Sequence, residues 1–127
     1  MPNVIKGNPE AAAGRFAVVV SRYNESITSK LLAGALETLS AHGVAGDAVD
    51  VAWVPGAWEL PVVVRRMADS GRYQAVLALG AVIRGETTHD QHINGQVSTS
   101  LGQIAVDTGL PILFGVLTCH TMEQAIH

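Results

Sequence analysis

Cysteine is almost absent from this sequence: Cys119 is the only one, which excludes a disulfide within the chain. Residues 1–14 lack the basic start and the long apolar run of a secretion signal. No apolar run approaches the roughly 20 residues that a membrane-spanning helix needs. We therefore expect a cytoplasmic protein that has no contact with membranes.

Basic residues are also scarce, with 8 Lys and Arg against 11 Asp and Glu and a net charge of -3. Such a chain has no basic stripe to neutralise a phosphate backbone, which argues against nucleic acid as a partner. The adjacent Arg65 and Arg66 are the densest basic point, and we interpret them as part of a solvated helix face.

Apolar residues, in contrast, occupy 48% of the 127 positions and predict a compact fold. A chain of this length can bury one sizeable core but hardly two. We therefore expect a single domain over residues 1–127, with residues 1–14 as an extended amino-terminal arm.

Short apolar runs alternate along the chain with longer segments of helical periodicity. The runs predict strands at 16–20, 49–54, 75–82 and 112–117. Helices are predicted around 27–39, 60–70 and 93–108, and a capping box at Thr121 predicts the start of another. This alternation predicts an α/β three-layer sandwich, in which a four-stranded parallel sheet is flanked by helices. The pattern leaves the strand order open.

In such folds, ligands bind outside the carboxyl ends of the strands, here residues 23–24, 56–59, 83–89 and 118–120. Backbone NH groups of the 83–89 segment could hold a phosphate, although an ordinary polar loop explains this segment equally well. His89 lies where that loop meets a helix, and it is the best acid-base candidate. His92 lies one turn further on, but no third ligand is evident, so no metal is expected.

The 56–59 segment offers an indole ring and a carboxylate that would suit a polyol bearing a heterocycle. From composition alone a simpler interpretation is favoured, in which Trp58 packs in the core and Glu59 is a charge at a helix start. For Tyr23, stacking on a planar ligand and covering the core edge are equally supported. Cys119 has no evident base beside it and is interpreted as a buried or neutral thiol.

Several motifs together resemble the lumazine synthase family, and the likeness is colinear from residue 16 to residue 126. They are RYN at 22–24, WVPGAWELP at 53–61, ALGAVIRG at 78–85, TH at 88–89, FGVLT at 114–118 and EQAI at 123–126. No single motif would suffice, but the agreement of several unrelated spacings makes the resemblance specific.

The resemblance implies a flavodoxin-like fold and a condensation without cofactors in riboflavin biosynthesis. In it, 5-amino-6-(D-ribitylamino)uracil and 3,4-dihydroxy-2-butanone 4-phosphate form 6,7-dimethyl-8-ribityllumazine. His89 would be the acid-base residue, and Tyr23 would stack on the pyrimidine ring. The other implied contacts are Asn24, Ala57, Trp58, Glu59, Ala81, Val82, Ile83 and a neighbouring subunit's Phe114 for the uracil and ribityl groups, and Gly85, Glu86 and Thr87 for the phosphate. The implied partners are small-molecule substrates, further copies of the chain in a pentamer or a shell of twelve pentamers, and riboflavin synthase.

Some positions depart from the family pattern. Tyr23 stands where Phe or Trp is commoner, which should preserve stacking, and His92 replaces an aromatic residue with an effect that the pattern does not predict. Glu86 would repel a phosphate unless only its backbone NH faces inward. The family continues after His127 with an Arg, a loop rich in Gly and Lys, and a long helix. We therefore expect weak or no activity. Of three explanations, a fragment, an engineered chain and a natural variant kept for binding or assembly, we favour the fragment.

The main alternative is a non-catalytic protein on the same scaffold that binds lumazine or flavin or forms a shell. An archaeal type of riboflavin synthase fits less well, because the 88–89 and 56–61 segments are closer to lumazine synthase. A plain flavodoxin-like binder comes third.

Overall fold

The computed structural model of the chain describes residues 2–7, 14–83 and 89–119. The described parts of the predicted arm, residues 2–7 and Gly14, contain no helix or strand. The helix predicted from Thr121 lies outside the described residues.

Four strands and three helices alternate along the described chain. The strands are β1 (Arg15–Ser21), β2 (Val49–Val54), β3 (Tyr73–Ile83) and β4 (Ile112–Cys119), and the helices are α1 (Glu25–Ala41), α2 (Leu60–Asp69) and α3 (His89–Thr108). Short 3-10 turns at Gly46–Ala48 and Ala57–Glu59 precede β2 and α2. Each strand and helix predicted within the described residues is confirmed, with ends that differ by a few residues.

All four strands are parallel and follow the order β2-β1-β3-β4. In the middle of the sheet, Val20 of β1 lies beside Trp53 of β2 on one side and beside Leu79 of β3 on the other. β4 forms an edge, where Phe114 pairs with Ala78. The carboxyl ends of β1 and β3 are therefore adjacent near the centre of the sheet, where open parallel sheets bind ligands.

Helices cover both faces of the sheet, which confirms the predicted three-layer α/β sandwich. On one face, Leu31 and Leu32 of α1 pack against Val18 and Val20 of β1. On the other face, α2 and α3 bury Leu60, Val64, Val97, Leu101 and Ile104. β1 is covered on both faces, which explains why its sequence is a continuous apolar run rather than an alternating one.

A surface ion pair joins α2 to α3. Arg65 of α2 lies 2.9 Å from Asp69 and 3.5 Å from Asp107 of α3. All three side chains are partly exposed, so these pairs add little to the free energy of unfolding. Arg65 thus lies on a solvated helix face, as predicted. No helix in the described ranges is both long and apolar enough to cross a membrane.

Candidate functional site

A cavity of about 690 Å³ opens at the carboxyl ends of the strands. Its volume is in the range of pockets that hold small molecules. Four parts of the chain form it: the segment after β1, the loop after β2, the end of β3 and the beginning of α3. The lining residues are Tyr23, Pro55, Gly56, Ala57, Trp58, Glu59, Ala81, Val82, His92 and Ile93.

Tyr23 reaches the cavity because the pairing of β1 with the β2 segment continues beyond the strand ends. The backbone NH of Arg22 donates to the carbonyl oxygen of Val54 at 2.7 Å, and that of Tyr23 donates to Pro55 at 2.9 Å. The Tyr23 side chain is 63% exposed, so it faces the cavity instead of covering the edge of the core. This position leaves its ring available to a planar ligand.

Asn24 turns the chain from β1 into α1. Its φ of 60° and ψ of 50° are left-handed, a conformation that asparagine tolerates better than most residues. Its carbonyl oxygen accepts from the backbone NH groups of Ile27 and Thr28. Asn24 was predicted to contact substrate, but it is not among the residues that line the cavity. Asn24 thus begins α1, and its contact with substrate stays a prediction.

The loop after β2 holds Glu59 in place. Pro55 and Gly56 end the strand, and the 3-10 turn Ala57–Glu59 follows. One carboxylate oxygen of Glu59 accepts a hydrogen bond of 3.1 Å from the backbone NH of Gly56. A Cβ atom at Gly56 would lie 3.2 Å from that oxygen, so glycine leaves the room that this contact needs. The helix-start role predicted for Glu59 is therefore correct, and the same side chain also lines the cavity.

Trp58 is 58% exposed, so the interpretation of this residue as a core aromatic is wrong. The physical reason is the turn that contains it, which buries Ala57 beneath the loop and directs the neighbouring indole toward the cavity. The indole adds a second flat ring to the lining, in addition to that of Tyr23.

The floor of the cavity is apolar. Ala81 and Val82, at the end of β3, are both buried in the protein and contribute to the lining. Ile83 is the last residue of β3, and its side chain lies outside the described part of the structure.

The wall formed by α3 contains His92 and Ile93. His89 is the first residue of this helix, and the sequence predicted it at a helix start. Its side chain lies outside the described residues, as do Gly85, Glu86 and Thr87 of the predicted phosphate site. His92 follows His89 by three positions, a spacing that puts two residues side by side on a helix. The spacing from His89 could therefore have predicted that His92 lines the cavity. Nothing in the sequence predicted the same for Ile93.

Phe114 does not line this cavity. It lies on the edge strand β4, opposite Ala78 in the middle of β3, and it is 47% exposed. The neighbouring Leu113 is also exposed. The predicted contact of Phe114 with a ligand in another subunit is compatible with this position, and it stays a prediction.

The lining combines two aromatic rings, a carboxylate, an imidazole and an apolar floor. Such a set suits a ligand that has a planar polar ring and hydroxyl groups. Within the described ranges, no three His, Cys, Asp or Glu side chains are grouped closely enough to hold a metal ion.

The profile of the protein family described as 6,7-dimethyl-8-ribityllumazine synthase matches residues 13–127. The match includes every element of the sheet and every residue that lines the cavity.

Proposed function

Since the chain belongs to the 6,7-dimethyl-8-ribityllumazine synthase family, whose members are transferases of riboflavin biosynthesis, we propose that it forms 6,7-dimethyl-8-ribityllumazine from the family's two substrates. These are the aminouracil, 5-amino-6-(D-ribitylamino)uracil, and the phosphate substrate, 3,4-dihydroxy-2-butanone 4-phosphate. The observation that carries the proposal is the cavity itself. It unites Tyr23, residues 57–59 and residues 81–82 with the first turn of α3, where His89 lies.

The aminouracil occupies the described cavity. Tyr23 stacks on its pyrimidine ring, and Ala81, Val82 and Ile83 line the uracil edge. The ribityl chain lies along residues 57–59, where the oxygen of Glu59 that is not bonded to Gly56 accepts from a hydroxyl group. Backbone groups of Gly85, Glu86 and Thr87 bind the phosphate of the second substrate, as loops before a helix commonly do.

The reaction needs orientation and proton transfer. The amine attacks the ketone and forms an imine with loss of water, inorganic phosphate then leaves, and ring closure releases water again. Only water, phosphate and protons are exchanged, so we propose no cofactor. The protein contributes by holding both substrates in a reactive geometry, and His89 moves protons at the reacting nitrogen and oxygen atoms.

The proposed assembly is a homo-oligomer of the family type, a pentamer or a shell of pentamers. The exposed Leu113 and Phe114 on the edge strand β4 support a contact with a second copy. In this assembly, Phe114 contacts the ligand of the adjacent subunit. Light scattering on the purified chain measures the oligomer mass directly.

The test of the proposed function is product formation, followed by absorbance, with His89→Ala compared with the wild type. We expect this variant to lose about a hundredfold or more in kcat while it keeps its affinity for the aminouracil, because a general acid-base group is removed. His42→Ala is the control, since His42 lies at the far end of α1. Ligand binding by the wild type without turnover would instead support the non-catalytic lumazine- or flavin-binding protein. Undiminished turnover by the His89 variant would refute the role of His89.

A further inference from the structure

Among the described residues of α3, His92 provides the one polar side chain that lines the cavity. His92 and Ile93 are the described α3 residues that line the cavity, and of these only His92 can form hydrogen bonds. The imidazole is exposed to solvent, so a ligand in the cavity can reach it without rearrangement of the core.

The adjoining wall, which contains Glu59, holds a group of complementary type. α3 packs directly against the 3-10 turn Ala57–Glu59, so His92 and Glu59 project into the same cavity from two elements in contact. An ionised carboxylate can only accept hydrogen bonds, and Gly56 already occupies one oxygen of Glu59. The Glu59 side therefore suits hydroxyl groups, but it does not serve a carbonyl oxygen of the ligand.

An imidazole supplies what the carboxylate cannot. Its NH donates to a carbonyl oxygen, whereas the apolar side chains of Ile93, Ala81 and Val82 in the same lining make no hydrogen bonds. The rings of Tyr23 and Trp58 are suited to contact a planar ligand through their faces. A polar ring held between these groups thus finds a hydrogen-bond donor on the α3 wall at His92.

We propose that His92 is a substrate-contacting residue that selects for a planar ring with a carbonyl acceptor. The inference rests on the proposed function, in which the ring is the pyrimidine of the aminouracil. The NH of His92 donates to a carbonyl oxygen of that ring. His92 thereby contributes to binding and specificity, while proton transfer belongs to His89. A histidine that merely occupies a solvated helix surface would have no such effect.

The test compares His92→Phe, which keeps a flat ring without a donor, with His92→Asn, which keeps a donor. Calorimetric titration with the aminouracil alone gives Kd, and steady-state kinetics give KM for each substrate and kcat. We expect His92→Phe to raise Kd and KM for the aminouracil by about three- to tenfold, as expected for one lost hydrogen bond. Its kcat and the KM of the phosphate substrate should stay within about twofold of the wild type. His92→Asn should recover most of the affinity.

Two results would overturn the inference: an unchanged Kd in His92→Phe, or equally weak binding by the Phe and Asn variants. Because His92 is exposed, we expect both variants to unfold at the wild-type temperature. If the Phe variant does not fold, the Kd of the Asn variant is compared with that of the wild type, and a loss of affinity in the Asn variant would then count against the inference. Failure of the proposed enzymatic function would give a different result from failure of the proposed role of His92. A wild-type chain that binds the aminouracil but forms no product would refute the enzymatic activity, while the Kd series would still decide the role of His92.

Discussion

The hydroxyl group of Tyr73 donates a hydrogen bond of 2.6 Å to the carboxylate of Asp50 across the central strand β1. Arg15, on β1 itself, donates to the other oxygen of this carboxylate, also at 2.6 Å. One carboxylate thus joins three neighbouring strands at their amino ends, opposite the cavity. The hydrogen bonds from Tyr73 and Arg15 keep the pKa of Asp50 below its usual value. The same carboxylate raises the pKa of Tyr73 and of Arg15.

Asp50→Asn should lower the melting temperature at neutral pH, because the charged acceptor of both hydrogen bonds is lost. Since folding lowers the pKa of Asp50, its contribution is complete above the unfolded pKa and disappears as the pH falls through the folded one. The difference in Tm between variant and wild type should therefore shrink below about pH 4. Thermal unfolding from neutral to acidic pH measures it. A gap in Tm that stays constant over this range would contradict the linkage.

Tyr73→Phe should reduce the free energy of unfolding by about 1 kcal/mol, since it removes one hydrogen bond and leaves the ring in place. Because folding raises the pKa of Tyr73, this contribution is present below the unfolded pKa and lost as the pH rises through the folded one. The deficit should thus fade at pH values above about 10. Denaturant unfolding of this variant beside Tyr23→Phe, whose ring is exposed, isolates the effect. Equal stability of the two variants at pH 7 would rule it out.

Ser21 and Gly80 should be energetically coupled. A Cβ atom at Gly80 would lie 3.0 Å from Oγ of Ser21, a fully buried hydroxyl with no hydrogen-bond partner among the described residues. We expect Gly80→Ala to cost about 1–3 kcal/mol through overpacking. Ser21→Ala should be neutral or stabilising by about 1 kcal/mol, because it removes an unsatisfied group.

The double variant of Ser21 and Gly80 should be more stable than the sum of the single effects predicts, as a double-mutant cycle in denaturant would show. Gly34→Ala is the matched control, because nothing lies within 4 Å of the added carbon in the middle of α1. It should be stabilising by about 1 kcal/mol. Simple additivity at Ser21 and Gly80 would mean that the added methyl group is accommodated elsewhere.

Two substitutions of Glu59 should separate its effect on ligand affinity from its effect on stability. Glu59→Gln keeps an oxygen for the Gly56 NH but loses the charge, so affinity for the aminouracil should fall about tenfold with little change in Tm. Glu59→Ala should lose the same affinity and also lower Tm, because the Gly56 contact disappears. Calorimetry and thermal unfolding measure the two effects, with the exposed Glu37→Gln as control. Full affinity in the Gln variant would exclude Glu59 as a charged acceptor of the ribityl hydroxyls.

Much of the fold could be predicted because each element carries its own local pattern. β1 is an apolar run because both of its faces are buried, and α1 has apolar residues every four positions because one side packs on the sheet. Both patterns can be read directly from the sequence. The strand order could not be predicted. It depends on which strands pair over long distances, and the position of β1 between β2 and β3 leaves no local trace.

The candidate site was predicted less completely, for a related reason. The family resemblance pointed to Tyr23 and residues 57–59, and the structure places them around one cavity. Composition alone favoured a buried Trp58, since an indole is usually core, and only the backbone of the 57–59 turn shows that it is exposed. The position of His92 depends on how α3 packs against that turn, which no single segment encodes.

The cavity takes its walls from chain segments as distant as Tyr23 and Ile93, which meet only when the whole sheet has formed. A ligand in the cavity can therefore bind the native state but not the unfolded chain. By mass action, such binding raises the temperature at which the protein unfolds. A ligand at 100 times its Kd adds about 2.7 kcal/mol to the free energy of unfolding. Melting curves can for this reason rank candidate occupants by affinity even where no catalysis takes place.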